Sequence, residues 1–154
     1  MQDVQDVPPV QDVPIAAQSP ERLQPVLTDA QWSDLVSTIE RARDVIGARV
    51  IWNVNSTARG GGVAELLHSL VPYIRGAGFD GRWQVIGGTP AFFALTKRLH
   101  NRLHGVAGDG GPLGEHERAL YESVSADNAR ELARHVRRGD LVLLHDPQTA
   151  GLVR

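Results

Sequence analysis

The amino-acid sequence predicts an α/β fold, a parallel β-sheet with crossover helices. Three observations carry this. Short apolar runs at Arg49–Asn55, Arg82–Gly88 and Leu141–Asp146 alternate with segments whose apolar residues recur at helical spacing. Capping, proline or glycine signals bound the predicted helices. The last run, LVLLHD, is nearly all apolar, as expected of a strand covered on both faces. A length of 154 residues fits one domain.

Residues 1–27 read as a flexible, proline-rich tail that repeats Gln-Asp-Val three times. Composition favours low-complexity padding there over a binding motif. At Thr28 the character changes. Thr28 and Gln31 have capping-box spacing, Trp32, Leu35, Val36, Ile39 and Ile46 share one helical face, and Gly47 is a stop signal. A helix is expected over Asp29–Ile46. The strand Arg49–Asn55 follows, then Gly60, Gly61 and Gly62, then a helical stripe of Val63, Leu66, Leu67, Leu70, Val71 and Ile74. Pro72 is expected to kink that helix, because the His68 carbonyl loses its partner. After the strand Arg82–Gly88, Pro90 opens a helix with Phe92, Leu95, Leu99 and Leu103 on its apolar side, and Gly105 closes it. A glycine-rich loop leads to one or two helices over Glu115–Arg138. Leu132, Ala133 and Val136 supply the apolar face of the last, and Gly139 and Asp140 end it. The third strand, Leu141–Asp146, comes next, and PQTAGLVR has the look of another helix start.

Composition excludes several function classes. With 42% hydrophobic and 22% charged residues, the chain is globular in type. A net charge of −2 with interspersed signs argues against nucleic acid as a partner. The absence of cysteine removes disulfides and thiolate metal sites. No apolar run approaches a membrane span and no signal-peptide core is present, so a cytoplasmic protein without membrane contact is expected.

The chemistry concentrates in three places. A glycine-rich turn between strand and helix lets backbone approach a ligand, and the helix's free N–H groups favour an anion. The turn lacks Gly-Lys-Ser/Thr and the G-x-G-x-x-G spacing, so neither common phosphate motif is present. The alternative is a tight turn without a ligand, which one glycine would satisfy. Glu65, in the first helical turn, either compensates the dipole or bonds a sugar hydroxyl. Lys97, His100, Asn101 and His104 share the polar face of the Pro90 helix. His100 and His104 alone are too few ligands for zinc. Hydrogen bonding to a polyhydroxylated ligand suits His100 and Asn101, with solvation the default for Lys97 and His104. His145, Asp146 and Gln148 follow a buried strand, where ligand groups are expected in an open α/β sheet, unless Asp146 merely bonds its own turn.

The stretches WNVNSTARGGGVAELL, WQVIGGTPAFFALTKRLHNRLHG and VLLHDPQTAGL together resemble the N-terminal domain of retaining GT-B glycosyltransferases of the trehalose synthase type. Trehalose phosphorylases of the same fold are similar. The resemblance implies that residues 28–154 form a partial Rossmann-like domain, the truncated N-terminal half of a GT-B fold. It implies transfer of glucose from a nucleoside-diphosphate glucose to glucose with retention, the nucleotide sugar being substrate and no cofactor or metal being needed. Gly60, Gly61, Gly62 and Val63 would lie at the donor phosphates. Glu65, His100, Asn101, His145 and Gln148 would contact sugar, and Asp146 would stand at the catalytic centre. The family's donor-binding C-terminal domain has no counterpart in the sequence. The chain alone is therefore expected to be inactive, to need that domain or a second chain, and to be either only marginally stable or self-associating, homo-oligomers included. A non-catalytic sugar- or phosphate-binding module is the alternative.

Overall fold

In the computed structural model, residues 10–153 are described. They form a four-stranded sheet in the order β1-β3-β2-β4, comprising β1 (Gln11–Asp12), β2 (Val50–Asn55), β3 (Asp80–Val85) and β4 (Leu141–Leu144). β2 pairs in parallel with β3 and β4, while β1 pairs antiparallel with β3. The helices are α1 (Asp29–Ile46), α2 (Gly62–Gly76), α3 (Pro90–Leu103), α4 (Glu115–Leu132) and a short α5 (Asp146–Thr149). This is a Rossmann-like α/β fold with a mixed, mostly parallel sheet.

Local chemistry explains the boundaries. Thr28 and Gln31 exchange both bonds of a capping box at the start of α1, and Gly47 ends it at φ 57°. Thr89 Oγ1 accepts from the Phe92 amide at 3.2 Å and Pro90 fills the first turn of α3. α2 runs as one helix through Pro72. The carbonyl of Pro72 takes the Gln18 amide at 2.9 Å.

The sheet buries a different cluster on each face. Trp52, Val54, Phe92, Val124 and Leu132 join β2 to α3 and α4. Ala64, Leu67, Val71 and Trp83 join α2 to β3. At the amino ends of the strands, the Asp140 carboxylate accepts from the Val50 amide (3.0 Å), the Trp52 indole (3.1 Å) and the Arg137 amide (2.9 Å). Those bonds, led by the Arg137 amide, hold its carboxyl below the ordinary range.

Four expectations are corrected. The segment expected to be a flexible tail is docked from residue 10 onward. Gln11 and Asp12 pair with Val85 and Gln84, Val13 and Ile15 pack on the α2 cluster, and Pro20–Val26 form a 3-10 helix. The third Gln-Asp-Val copy is thus an edge strand, stabilised by main-chain bonds that composition does not reveal; the first two copies lie outside the described residues. The run Leu141–Leu144 is not covered on both faces. β4 pairs only with β2 among the described residues, leaving Val142 and Leu143 exposed. The stripe on α2 is half open, with Leu67 and Val71 buried and Leu66 and Leu70 exposed, because the helix meets the sheet along the Ala64–Leu67–Val71 line. Of the one or two helices expected over Glu115–Arg138 there is one, α4, and it stops at Leu132, short of the expected end. Residues 133–140 form turns, in which Val136 still packs on the core and Ala133 is exposed.

Candidate functional site

Three loops leave the carboxyl ends of β2, β3 and β4. The loop after β2 carries the glycines. Gly60 (φ 74°) and Gly61 (φ 87°) occupy the left-handed region that side chains disfavour. Gly62 has no such constraint, and a Cβ added at any of the three meets nothing within 4 Å. The open space lies at the start of α2, whose N-cap is Gly61 with no side-chain capping bond. The first amides of this helix are therefore unpaired donors at the positive end of its dipole.

The loop after β3 is clamped by Asn128 on α4. Its amide nitrogen donates to the Gly87 carbonyl and its oxygen accepts from the Gly87 amide, both at 2.8 Å and both buried. The loop after β4 is clamped by Tyr121, also on α4. Its hydroxyl donates to the Pro147 carbonyl and accepts from the Gly151 amide, each at 2.8 Å. Thr149 Oγ1 adds a bond to the His145 carbonyl at 2.7 Å. Within this held segment Asp146 has φ 68°, the single positive φ outside glycine among the described residues. Such a conformation persists only where its surroundings impose it.

The loops after β2 and β4, together with α3, line a cavity of about 600 Å³, whereas Ile86, Gly87 and Gly88 of the loop after β3 line a neighbouring one. Gly60, Gly61, Gly62 and Val63 line one side, and His100, Asp146 and Gln148 another. Seven of the residues singled out in the sequence thus share one cavity. Asn55, Ser56, Thr57, Ala64 and Lys97 line it as well. Lys97 is the one lysine or arginine of the lining, though its helical position gave no reason to separate it from solvent-facing neighbours. Gln148 Oε1 is a buried acceptor without a partner.

Three residues lie elsewhere. Glu65 is exposed on α2 outside the cavity lining, with its carbonyl accepting from Ser69. Asn101 sits where α3 ends, packed beside Gly108, and its carbonyl takes the Val106 amide at 2.9 Å. His145 turns to the sheet, its Nε2 at 3.2 Å from buried Asn53 Oδ1. His104 is exposed and stacks edge-on against His100 at 4.4 Å. Among the described residues, no group of three or more His, Asp or Glu side chains could hold a metal ion, and no helix is long and apolar enough to cross a membrane.

The cavity combines an uncapped helix N-terminus, one ammonium, the carboxylate of a residue with left-handed backbone, and an amide with spare bonding capacity. That set can hold an anion at one end and hydroxyl groups at the other.

Comparison with known proteins places the chain. Residues 53–154 match the family model described as trehalose synthase, N-terminal domain. The chain is 42% identical over 118 residues to trehalose synthase of Pyrococcus horikoshii, covering 77% of this chain and 28% of the relative. It is 44% identical over 115 residues to trehalose synthase of Rubrobacter xylanophilus, covering 75% and 26%. Trehalose phosphorylase of Pleurotus pulmonarius is 28% identical over 145 residues, 77% of this chain and 19% of that protein. The chain spans about a quarter of the length of the trehalose synthases it matches. On the family match, which covers most of its residues, the chain belongs to the family of trehalose synthase N-terminal domains.

Proposed function

We propose that this chain is part of the N-terminal, sugar-binding half of a retaining glucosyltransferase of the trehalose synthase type. In this reading glucose passes from a nucleoside-diphosphate glucose to a second glucose, forming the α,α-linkage with retention. The observation that carries it is the joint presence, in one cavity, of the unpaired α2 amides and the Asp146 carboxylate. The amides of Gly62, Val63 and Ala64 face the donor's phosphate side. Asp146 accepts hydroxyl hydrogen bonds at the reacting sugar, with His100 and Gln148 beside it. Departure of a nucleoside diphosphate calls for positive groups placed for its charge. Lys97 alone supplies one here, so a second half is required for turnover. The protein works in the cytoplasm in this reading, with sugars and nucleotide sugars as its small-molecule partners.

Trehalose phosphorylase chemistry is the second reading, favoured by the Pleurotus relatives. The test joins this chain to the part of the Pyrococcus horikoshii relative that follows the matched region. With nucleoside-diphosphate glucose and glucose, the hybrid is expected to make trehalose and this chain alone to make none. Release of glucose 1-phosphate from trehalose and phosphate would favour the phosphorylase. Turnover by the chain alone at ordinary enzyme rates, roughly 1–10³ per second, would overturn the reading.

A further inference from the structure

The glycine turn has two unlike halves. From Gly60 to Gly62 it has open space around every α-carbon. Between Asn55 and Arg59 it is tied at Asn55, Thr57, Ala58 and Arg59. The Trp83 indole donates to Asn55 Oδ1 at 2.8 Å, and Asn55 Nδ2 donates onward to the Thr57 carbonyl at 2.8 Å. Thr57 Oγ1 donates to the Arg59 carbonyl at 2.7 Å and accepts from the Arg59 amide at 3.1 Å. His68 Nε2 lies 2.9 Å from the Ala58 carbonyl. A carbonyl only accepts, so this bond requires the proton on Nε2. The His68 ring in turn stands edge-on to Trp83, with centroids 4.7 Å apart at 77°.

Neither His68 nor Trp83 lines the cavity that holds Asp146. Both grip the turn from behind, one from α2 and one from β3. The indole is a pure donor, and it fixes which way the Asn55 amide faces. Since Asn55, Ser56 and Thr57 line the cavity, the grip sets the positions of ligand-facing groups.

We propose that His68 and Trp83 are positioning residues, which hold the turn Ser56–Arg59 in place and thereby set ligand affinity at the cavity without touching the ligand. The proposal rests on the sugar-nucleotide reading of that cavity. His68 is exposed, so its bond contributes little to global stability and its effect falls on the turn.

The test compares the unaltered chain with His68→Leu and His68→Gln. The Gln Nε2 group reaches about as far as the imidazole Nε2 and also donates. Amide hydrogen exchange over residues 56–64 reads the position of the turn, and titration with uridine diphosphate glucose reads affinity. In His68→Leu, exchange in the turn is expected to rise and affinity to fall at least fivefold, with the melting temperature within about 2 °C of the unaltered chain. His68→Gln is expected to restore both. Unchanged exchange in His68→Leu overturns the proposal, and so does faster exchange with unchanged affinity. Failure of the unaltered chain to bind the probe overturns the cavity reading and takes the affinity claim with it. That failure is distinguishable, because the exchange comparison still reports whether His68 holds the turn.

Discussion

Asp146 offers a way to separate backbone strain from chemistry. At φ 68° its backbone suits glycine, tolerates Asp, and penalises a plain β-carbon. Asp146→Gly and Asp146→Ala both remove the carboxylate, but only the alanine variant retains a side chain in the left-handed region. The left-handed conformation costs a residue such as alanine about 1–2 kcal/mol, offset by the roughly 0.5–1 kcal/mol that glycine's extra freedom costs on folding. A net difference of about 1 kcal/mol should remain, with glycine the more stable. In a domain of this size that is a gap of about 2–4 °C in melting temperature. Binding should not separate the two variants. A hydrogen bond to a charged acceptor contributes about 1.5–3 kcal/mol, so both variants are expected to lose about 10- to 150-fold in affinity for glucose. Thermal melts and a sugar titration on the three proteins decide it. Equal melting temperatures for the two variants would refute the strain argument. Sugar affinity within twofold of the unaltered chain would show that Asp146 is a turn residue only.

Other consequences follow from the packing. Asp109 takes two bonds from Arg98 (2.7 and 3.0 Å) and one from the Gly111 amide, and these, led by Arg98, lower its carboxyl from 3.8 to about 2. A depressed carboxyl stabilises the folded loop above pH 4 and ceases to do so as pH falls towards 2, so nuclear magnetic resonance of residues 105–114 is expected to show release in that window and not above it. A Cβ at Gly76 would overlap the Gln18 carbonyl oxygen. Gly76→Ala is therefore expected to displace the N-terminal segment and destabilise by about 1–3 kcal/mol, read as a lower melting temperature and faster exchange over residues 11–18; an unchanged melt would contradict the docking described above. Among the described residues β4 pairs on one side only, and Val142 and Leu143 are exposed, so light scattering is expected to show association rising with concentration, reduced in Val142→Lys. A concentration-independent monomer would count against this.

The parts of the fold legible in the sequence were those fixed by neighbours along the chain. Thr28, Gln31 and Gly47 bound α1 at both ends because capping is an affair of three or four residues. Thr89 and Pro90 mark α3 for the same reason. What escaped depends on distant partners. β1 is two residues long and sits among prolines, and only its bonds to β3 make it a strand. The apolar run of β4 reads as covered on both faces, yet its coverage depends on what lies beside it in space. Within the site, the glycine turn, His100, Asp146 and Gln148 were legible from position after a strand or on a helix face. Asn101 shares that face but is drawn under the loop at Gly108 as α3 ends. His145 follows its strand as Asp146 does, but faces Asn53 on the sheet. Asn128, Tyr121 and Trp83 act across 26 to 41 residues, beyond any spacing rule.

In the proposed function, sugar and phosphate bind together at the carboxyl edge of the sheet. Amide chemical-shift mapping of the labelled chain, titrated with glucose and then with uridine diphosphate glucose, tests it most directly. Glucose is expected to shift amides at His100, Asp146 and Gln148, and the nucleotide sugar to shift Gly60–Ala64 as well. Shifts confined to the neighbouring cavity of about 520 Å³, lined by Asp12, Arg59, His68 and Phe93, or no shifts at all, would contradict it.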